Sequence, residues 1–111
     1  MAAECWDGIP SASDYETILT SVSSPKELMQ FIIDNESTLK DTWQIYYQAL
    51  IQQQADVYLY SDKLEDDIIR RALFNPVKDI VKLIDELVSK TGPHTKICVL
   101  PEGPQTIPYL K

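Results

Sequence analysis

Two four-residue apolar runs, Val57-Tyr58-Leu59-Tyr60 and Ile97-Cys98-Val99-Leu100, limit most tightly what this chain can fold into. Each has the length of a buried strand and is too short for a helix. The first ends at Ser61-Asp62. The second ends at Pro101, where a loop carrying Gly103, Pro104 and Pro108 begins. The sequence between the runs is helical in pattern. A strand–helix–strand crossover joins parallel strands, so the two runs are expected to be parallel neighbours. Ser61-Asp62 and the Pro101–Pro108 loop would then share one edge, the kind of edge at which α/β sheets present binding groups. The expected fold class is α/β: a short, mainly parallel sheet flanked by about five helices in a two-layer or three-layer arrangement, with residues 1–111 forming a single domain.

The helices are read from spacing and caps. Ser11–Val22 places Tyr15, Ile18, Leu19 and Val22 on one face, with Ser11 or Ser13 as cap and Asp14 and Glu16 at the positive end of the dipole. Ser24-Pro25-Lys26-Glu27 has the form of a capping box with proline at the first helical position, and Leu28, Phe31 and Ile32 follow on the buried face. In Lys40–Gln54 the apolar face is Trp43, Tyr46, Tyr47, Leu50 and Ile51. Leu64–Leu73 runs from acidic to basic, as the macrodipole favours. Asn75-Pro76 reads as the N-cap and first position of the most clearly patterned helix. Its stripe is Val77, Ile80, Val81, Ile84, Leu87 and Val88, and Gly92 ends it. The opening, Met1-Ala2-Ala3-Glu4-Cys5-Trp6-Asp7-Gly8, moves straight into a Gly/Pro turn. It looks cut at a strand end, and residues 1–5 would be the tail of a third strand.

Composition excludes several classes. With a net charge of −7 the chain lacks the basic surface that nucleic acids or anionic membranes require. No apolar run approaches the roughly 18 residues of a membrane span, and the N-terminus has no signal-peptide pattern. A cytoplasmic location fits these features. Cys5 and Cys98, without secretory context, read as two buried free thiols.

Few residues suggest chemistry. His94, the only histidine, lies in a turn with no partner beside it. Glu4 and Asp7 flank Cys5 at a strand end, a place where carboxylates can hold a metal or act as a base; the plainer reading is a turn held by Asp7. Glu65-Asp66-Asp67 point about 100° apart on a helix, so they suit the dipole better than a shared cation. Trp43 sits on an apolar helical face and suits core packing, an interface or a ligand pocket. Glu102, Gln105 and Thr106 could hydrogen-bond a polar ligand. No phosphate loop, paired-cysteine metal motif or nucleophile–histidine–carboxylate set is present.

Five stretches in order resemble the nickel-dependent lactate racemase family. Ala3-Glu4-Cys5-Trp6-Asp7-Gly8 is similar to its A-E-C-x-D-G, and Ser24-Pro25-Lys26-Glu27-Leu28 to its (S/T)-P-x-E-L. Trp43-Gln44 is similar to its W-Q, and Val57-Tyr58-Leu59-Tyr60-Ser61 to its V-Y-L-V-S. Val99 to Pro108 is similar to its closing V-L-P-x-G-P-x-T-(I/L)-P. The likeness covers the C-terminal part of such enzymes. It implies a C-terminal domain that walls one side of an interdomain cleft, with the N-terminal catalytic domain as partner and lactate or another small 2-hydroxy acid as substrate.

In the family, hydride passes between the substrate and a nickel pincer nucleotide. Two histidines serve as acid and base, a lysine tethers the cofactor, and another histidine ligates nickel. The resemblance places these groups in the N-terminal domain, so this chain alone is expected to be inactive and to bind neither cofactor nor metal. The family's pocket Gln and Lys precede the A-E-C stretch and fall outside the chain. Trp43 is the one substrate-pocket residue that the resemblance carries over. Pro10 stands where many relatives have glycine, a departure that bears on substrate preference. The alternative from another class is a free-standing interaction or scaffold domain without chemistry.

Overall fold

The computed structural model describes residues 1–9, 14–35, 43–101 and 103. It is an α/β protein with helices α1 (Asp14–Ser21), α2 (Pro25–Asn35), α3 (Trp43–Gln52), α4 (Asp66–Arg71) and α5 (Ile80–Thr91), and strands β1 (Tyr58–Tyr60) and β2 (Asn75–Val77). Two compact units divide the chain, Met1–Ile80 and Val81–Lys111.

In the first unit, α1, α2 and α3 bury Ile18, Leu19, Leu28, Ile32, Ile45 and Ala49 in one cluster, which Ala72 completes. Tyr15, Phe31, Leu73 and Phe74 pack around it. The start of α2 follows the expected cap. The Glu27 amide donates to Ser24 Oγ (3.2 Å), while the Glu27 carboxylate accepts from the amide of Ser23 (2.8 Å), one residue earlier than in the usual capping box. The caps expected at Ser11 or Ser13, and the first turn expected at Lys40, lie outside the described residues.

The sheet differs from expectation. β1 does pair in parallel, but its partner is β2, in the register Tyr58↔Asn75, Leu59↔Pro76 and Tyr60↔Val77. Residues 97–100 form no strand, and Ile97, Val99 and Leu100 are exposed. Asn75-Pro76 therefore does not cap a helix; α5 begins at Ile80. The same residues serve an edge strand. The Asn75 amide donates to the Val57 carbonyl at 3.0 Å, and its side-chain amide donates to that carbonyl at 3.1 Å. Pro76, next along, faces its missing N–H away from β1, where an edge strand needs no donor. On the other side of β1, Ala2 makes a parallel bridge to Tyr60. β1 is thus flanked on both sides by parallel backbone.

The face of α3 is also the reverse of the expected one. Trp43, Tyr46, Tyr47, Leu50 and Ile51 are exposed; Ile45 and Ala49 are buried, with Gln48 and Gln52 half-buried beside them. Hydrogen bonding explains the rotation. After α4 the chain closes a Schellman turn, with the Phe74 amide on the Ile69 carbonyl and the Leu73 amide on the Arg70 carbonyl, at 3.1 and 2.9 Å. Leu73 takes φ +62 there. The carbonyls of Ala72 and Leu73 point at α3 and need donors. Gln48 Nε2 donates to Ala72 O at 2.8 Å and Gln52 Nε2 to Leu73 O at 2.6 Å. Tyr15 Oη donates to Gln48 Oε1 at 2.6 Å, which joins α1 to the same network.

Burial raises the Tyr15 pKa above its ordinary value. The folded state then holds this proton more tightly than the unfolded chain does. Stability is therefore fully present below the unfolded tyrosine pKa of about 10 and falls as the pH rises above it. Urea unfolding between pH 8 and 11 is expected to show this fall, and Tyr15→Phe to show a shallower one. An unchanged slope in Tyr15→Phe would exclude Tyr15 as its source.

The second unit is dominated by α5, which Gly92 ends at φ +92 with its amide on the Val88 carbonyl (2.8 Å). No α5 residue is buried, contrary to the expected buried stripe; Ile80, Val81 and Ile84 are exposed, and Leu87 and Val88 half-buried.

Candidate functional site at the sheet edge

The parallel pairing brings chain ends to one edge. Tyr60 N donates to Met1 O at 2.9 Å and Ala3 N to Tyr60 O at 3.1 Å, so Glu4 and Ser61 leave the sheet together. Ser61 is buried and ties them: its Oγ donates to the Glu4 carbonyl at 2.8 Å and accepts from the amides of Lys63 and Leu64 at 3.2 and 3.3 Å. One hydroxyl thereby fixes both the opening segment and the loop leaving β1.

Beyond Glu4 the chain makes the turn Cys5–Gly8, closed by Gly8 N to Cys5 O at 3.1 Å. Both end residues have positive φ, +54 at Cys5 and +69 at Gly8; the first is costly for a side-chain-bearing residue and the second suits glycine. The turn aims Trp6 back along the edge. Its indole N–H donates to the Glu4 carboxylate, and Lys63 Nζ lies 4.4 Å from the ring centroid. Lys63 also pairs with Asp62 at 3.6 Å. Beside this cluster, Ala2, Ala3, Glu4, Tyr60 and Asp62 line an open depression of about 350 Å³.

The sequence-predicted residues fall in several places. Ser61-Asp62 is on the expected edge. The Pro101–Pro108 loop is not placed there by a strand at 97–100, and Glu102, Gln105 and Thr106 lie outside the described residues. Trp43 is the first residue of α3, 61 % exposed, and is not part of the depression's lining. His94 is exposed in the turn after α5. The acidic run at α4 serves the helix start and ion pairs: Asp66 lies 2.6 Å from Lys78 and 3.8 Å from Arg70, and Asp67 lies 3.2 Å from Arg70. Among the described residues no group of three or more His, Cys, Asp or Glu side chains could hold a metal ion. Cys5 and Cys98 are free thiols, but only half-buried and exposed respectively, so the expected burial fails, most plainly at Cys98.

Sequence reasoning missed the Ser61 tie and the pairing of Lys63 with Trp6. A hydroxyl directly after a strand was the available signal for the first; nothing in the spacing announced the second.

No helix among the described residues is long and apolar enough to cross a membrane. No curated protein and no solved structure matches the chain. Residues 1–107 match the lactate racemase C-terminal domain. That match spans nearly the whole chain, including the opening turn, the β1 edge and α3, and by it the chain belongs to the lactate racemase C-terminal domain family.

Proposed function

We propose that this chain works as the C-terminal domain of a cytoplasmic racemase or epimerase of lactate or a related 2-hydroxy acid. In that enzyme it forms one wall of the cleft facing the N-terminal catalytic domain. The observation that carries this reading is family membership over residues 1–107, and the exposure of Trp43 on the first turn of α3 supports it.

Among the described residues, those that could meet a ligand do not fit the nickel pincer nucleotide that the family implies. The edge depression offers the carboxylates of Glu4 and Asp62, which repel a phosphorylated group. The single histidine stands exposed in a turn. Asp66 and Asp67, adjacent on α4, are taken up by Arg70 and Lys78. The domain's part is therefore enclosure and orientation. Trp43 presents a broad apolar ring with an indole N–H, suited to covering a small hydroxy acid while donating one hydrogen bond to it. Closing such a wall excludes water from the reacting carbon.

The test is made in the assembled enzyme. Trp43→Ala is expected to lower kcat/KM for racemisation about tenfold, near 1.4 kcal/mol of transition-state stabilisation. Unaltered kinetics would remove Trp43 from the pocket while leaving the family assignment intact.

A further inference from the structure

We infer that the whole outward face of α3, from Trp43 to Ile51, is the surface through which this domain docks on the N-terminal domain of its racemase. The inference rests on the reading just given and extends it from one residue to an interface. Trp43, Tyr46, Tyr47, Leu50 and Ile51 form one continuous stripe, each residue 36–61 % exposed. α3, WQIYYQALIQ, carries no charged side chain, whereas α1, α2, α4 and α5 all do, in a chain of net charge −7. Trp and Tyr without Lys, Glu or Asp is the composition of an interface core, not of a solvated helix. A small roll of the helix cannot bury the stripe, because Gln48 and Gln52 are held by the Ala72 and Leu73 carbonyls on the opposite side.

Area selects the occupant. Five side chains exposed to this degree offer about 500 Å². That falls short of the ~800 Å² per partner of a standard free-standing interface. It suffices for domains of one chain, whose interfaces start near 600 Å² in total and whose tether supplies a high effective concentration. A second copy would also bring two bodies of charge −7 together. The family is defined as a C-terminal domain, so a tethered N-terminal partner is the occupant of the right kind.

The experiment titrates the isotope-labelled 111-residue chain with the N-terminal domain of a lactate racemase and follows amide shifts. Saturable shifts centred on residues 43–51 are expected. Tyr47→Glu and Leu50→Glu, both at exposed positions, should each raise Kd at least tenfold with unchanged circular dichroism. Shifts centred elsewhere, affinity indifferent to both glutamates, or no binding would overturn the proposal. So would a chain that sediments alone as a dimer and is made monomeric by those glutamates, since the face would then belong to a second copy. Failure of the cleft reading looks different: docking persists, yet Trp43→Ala leaves racemisation unchanged.

Discussion

Leu28→Ala is expected to lower the unfolding free energy by about 3 kcal/mol. Leu28 is 0 % exposed on α2, at the centre of the cluster that joins α1, α2 and α3. Removing its isobutyl group forfeits the transfer of those atoms out of water and leaves a cavity that three helices cannot close. Small domains are stable by only about 5–15 kcal/mol, so this one truncation takes a large share of the total. Urea unfolding is the measurement, with a midpoint lowered by roughly 1–2 M for a typical urea slope. Ile33→Ala is the control: Ile33 lies on the same helix, 59 % exposed, and its loss should change stability by about 0.5 kcal/mol or less. Equal losses at the two positions would mean that α2 does not face the core as described.

The second large effect is expected at a polar residue. Gln48→Ala breaks the hydrogen bond from Tyr15 and removes the side-chain donor to the Ala72 carbonyl. An unmade hydrogen bond at an enclosed carbonyl costs about 1–3 kcal/mol and a lost ordinary one about 1 kcal/mol, so a loss of about 2–3 kcal/mol is expected from urea unfolding. Gln48→Leu keeps most of the volume and should recover little of it, because the carbonyl still lacks a donor. If Gln48→Leu were as stable as the wild type, packing and not hydrogen bonding would be what holds α3 in place.

These two residues show what could be read from the sequence and what could not. The α2 start was legible because Ser24, Pro25 and Glu27 act on their own backbone within one turn. β1 was legible from its aromatic and apolar run, and the end of α5 from Gly92. The face of α3 was not, because hydropathy ranks Trp43, Tyr46, Tyr47, Leu50 and Ile51 above Gln48. The carbonyls that make Gln48 an inward residue come from Ala72 and Leu73, far along the chain. β2 was missed for a related reason. A proline that lacks an N–H fits both the first turn of a helix and the free side of an edge strand, and only the pairing of Asn75 with Val57 decides between them.

The candidate site was partly legible. Ser61-Asp62 at a strand end was found from the run that precedes it. That Ser61 reaches the Glu4 carbonyl depends on the parallel pairing of residues 1–3 with β1, which no local pattern announces. The five ordered motifs carried further than any single residue, and the family match over residues 1–107 bears them out as a group.

The glutamine rail under α3 reverses the usual map of mutational tolerance on a helix. Drift at this element should be free where the side chains are greasy and punished where they are polar, as far as folding alone is concerned. A lineage that kept the fold but abandoned the partner would keep Gln48 and Gln52 and let positions 43, 46, 47, 50 and 51 wander toward lysine and glutamate. The aromatic character of that face, in a helix without a single charge, is therefore something that folding of this domain does not itself require.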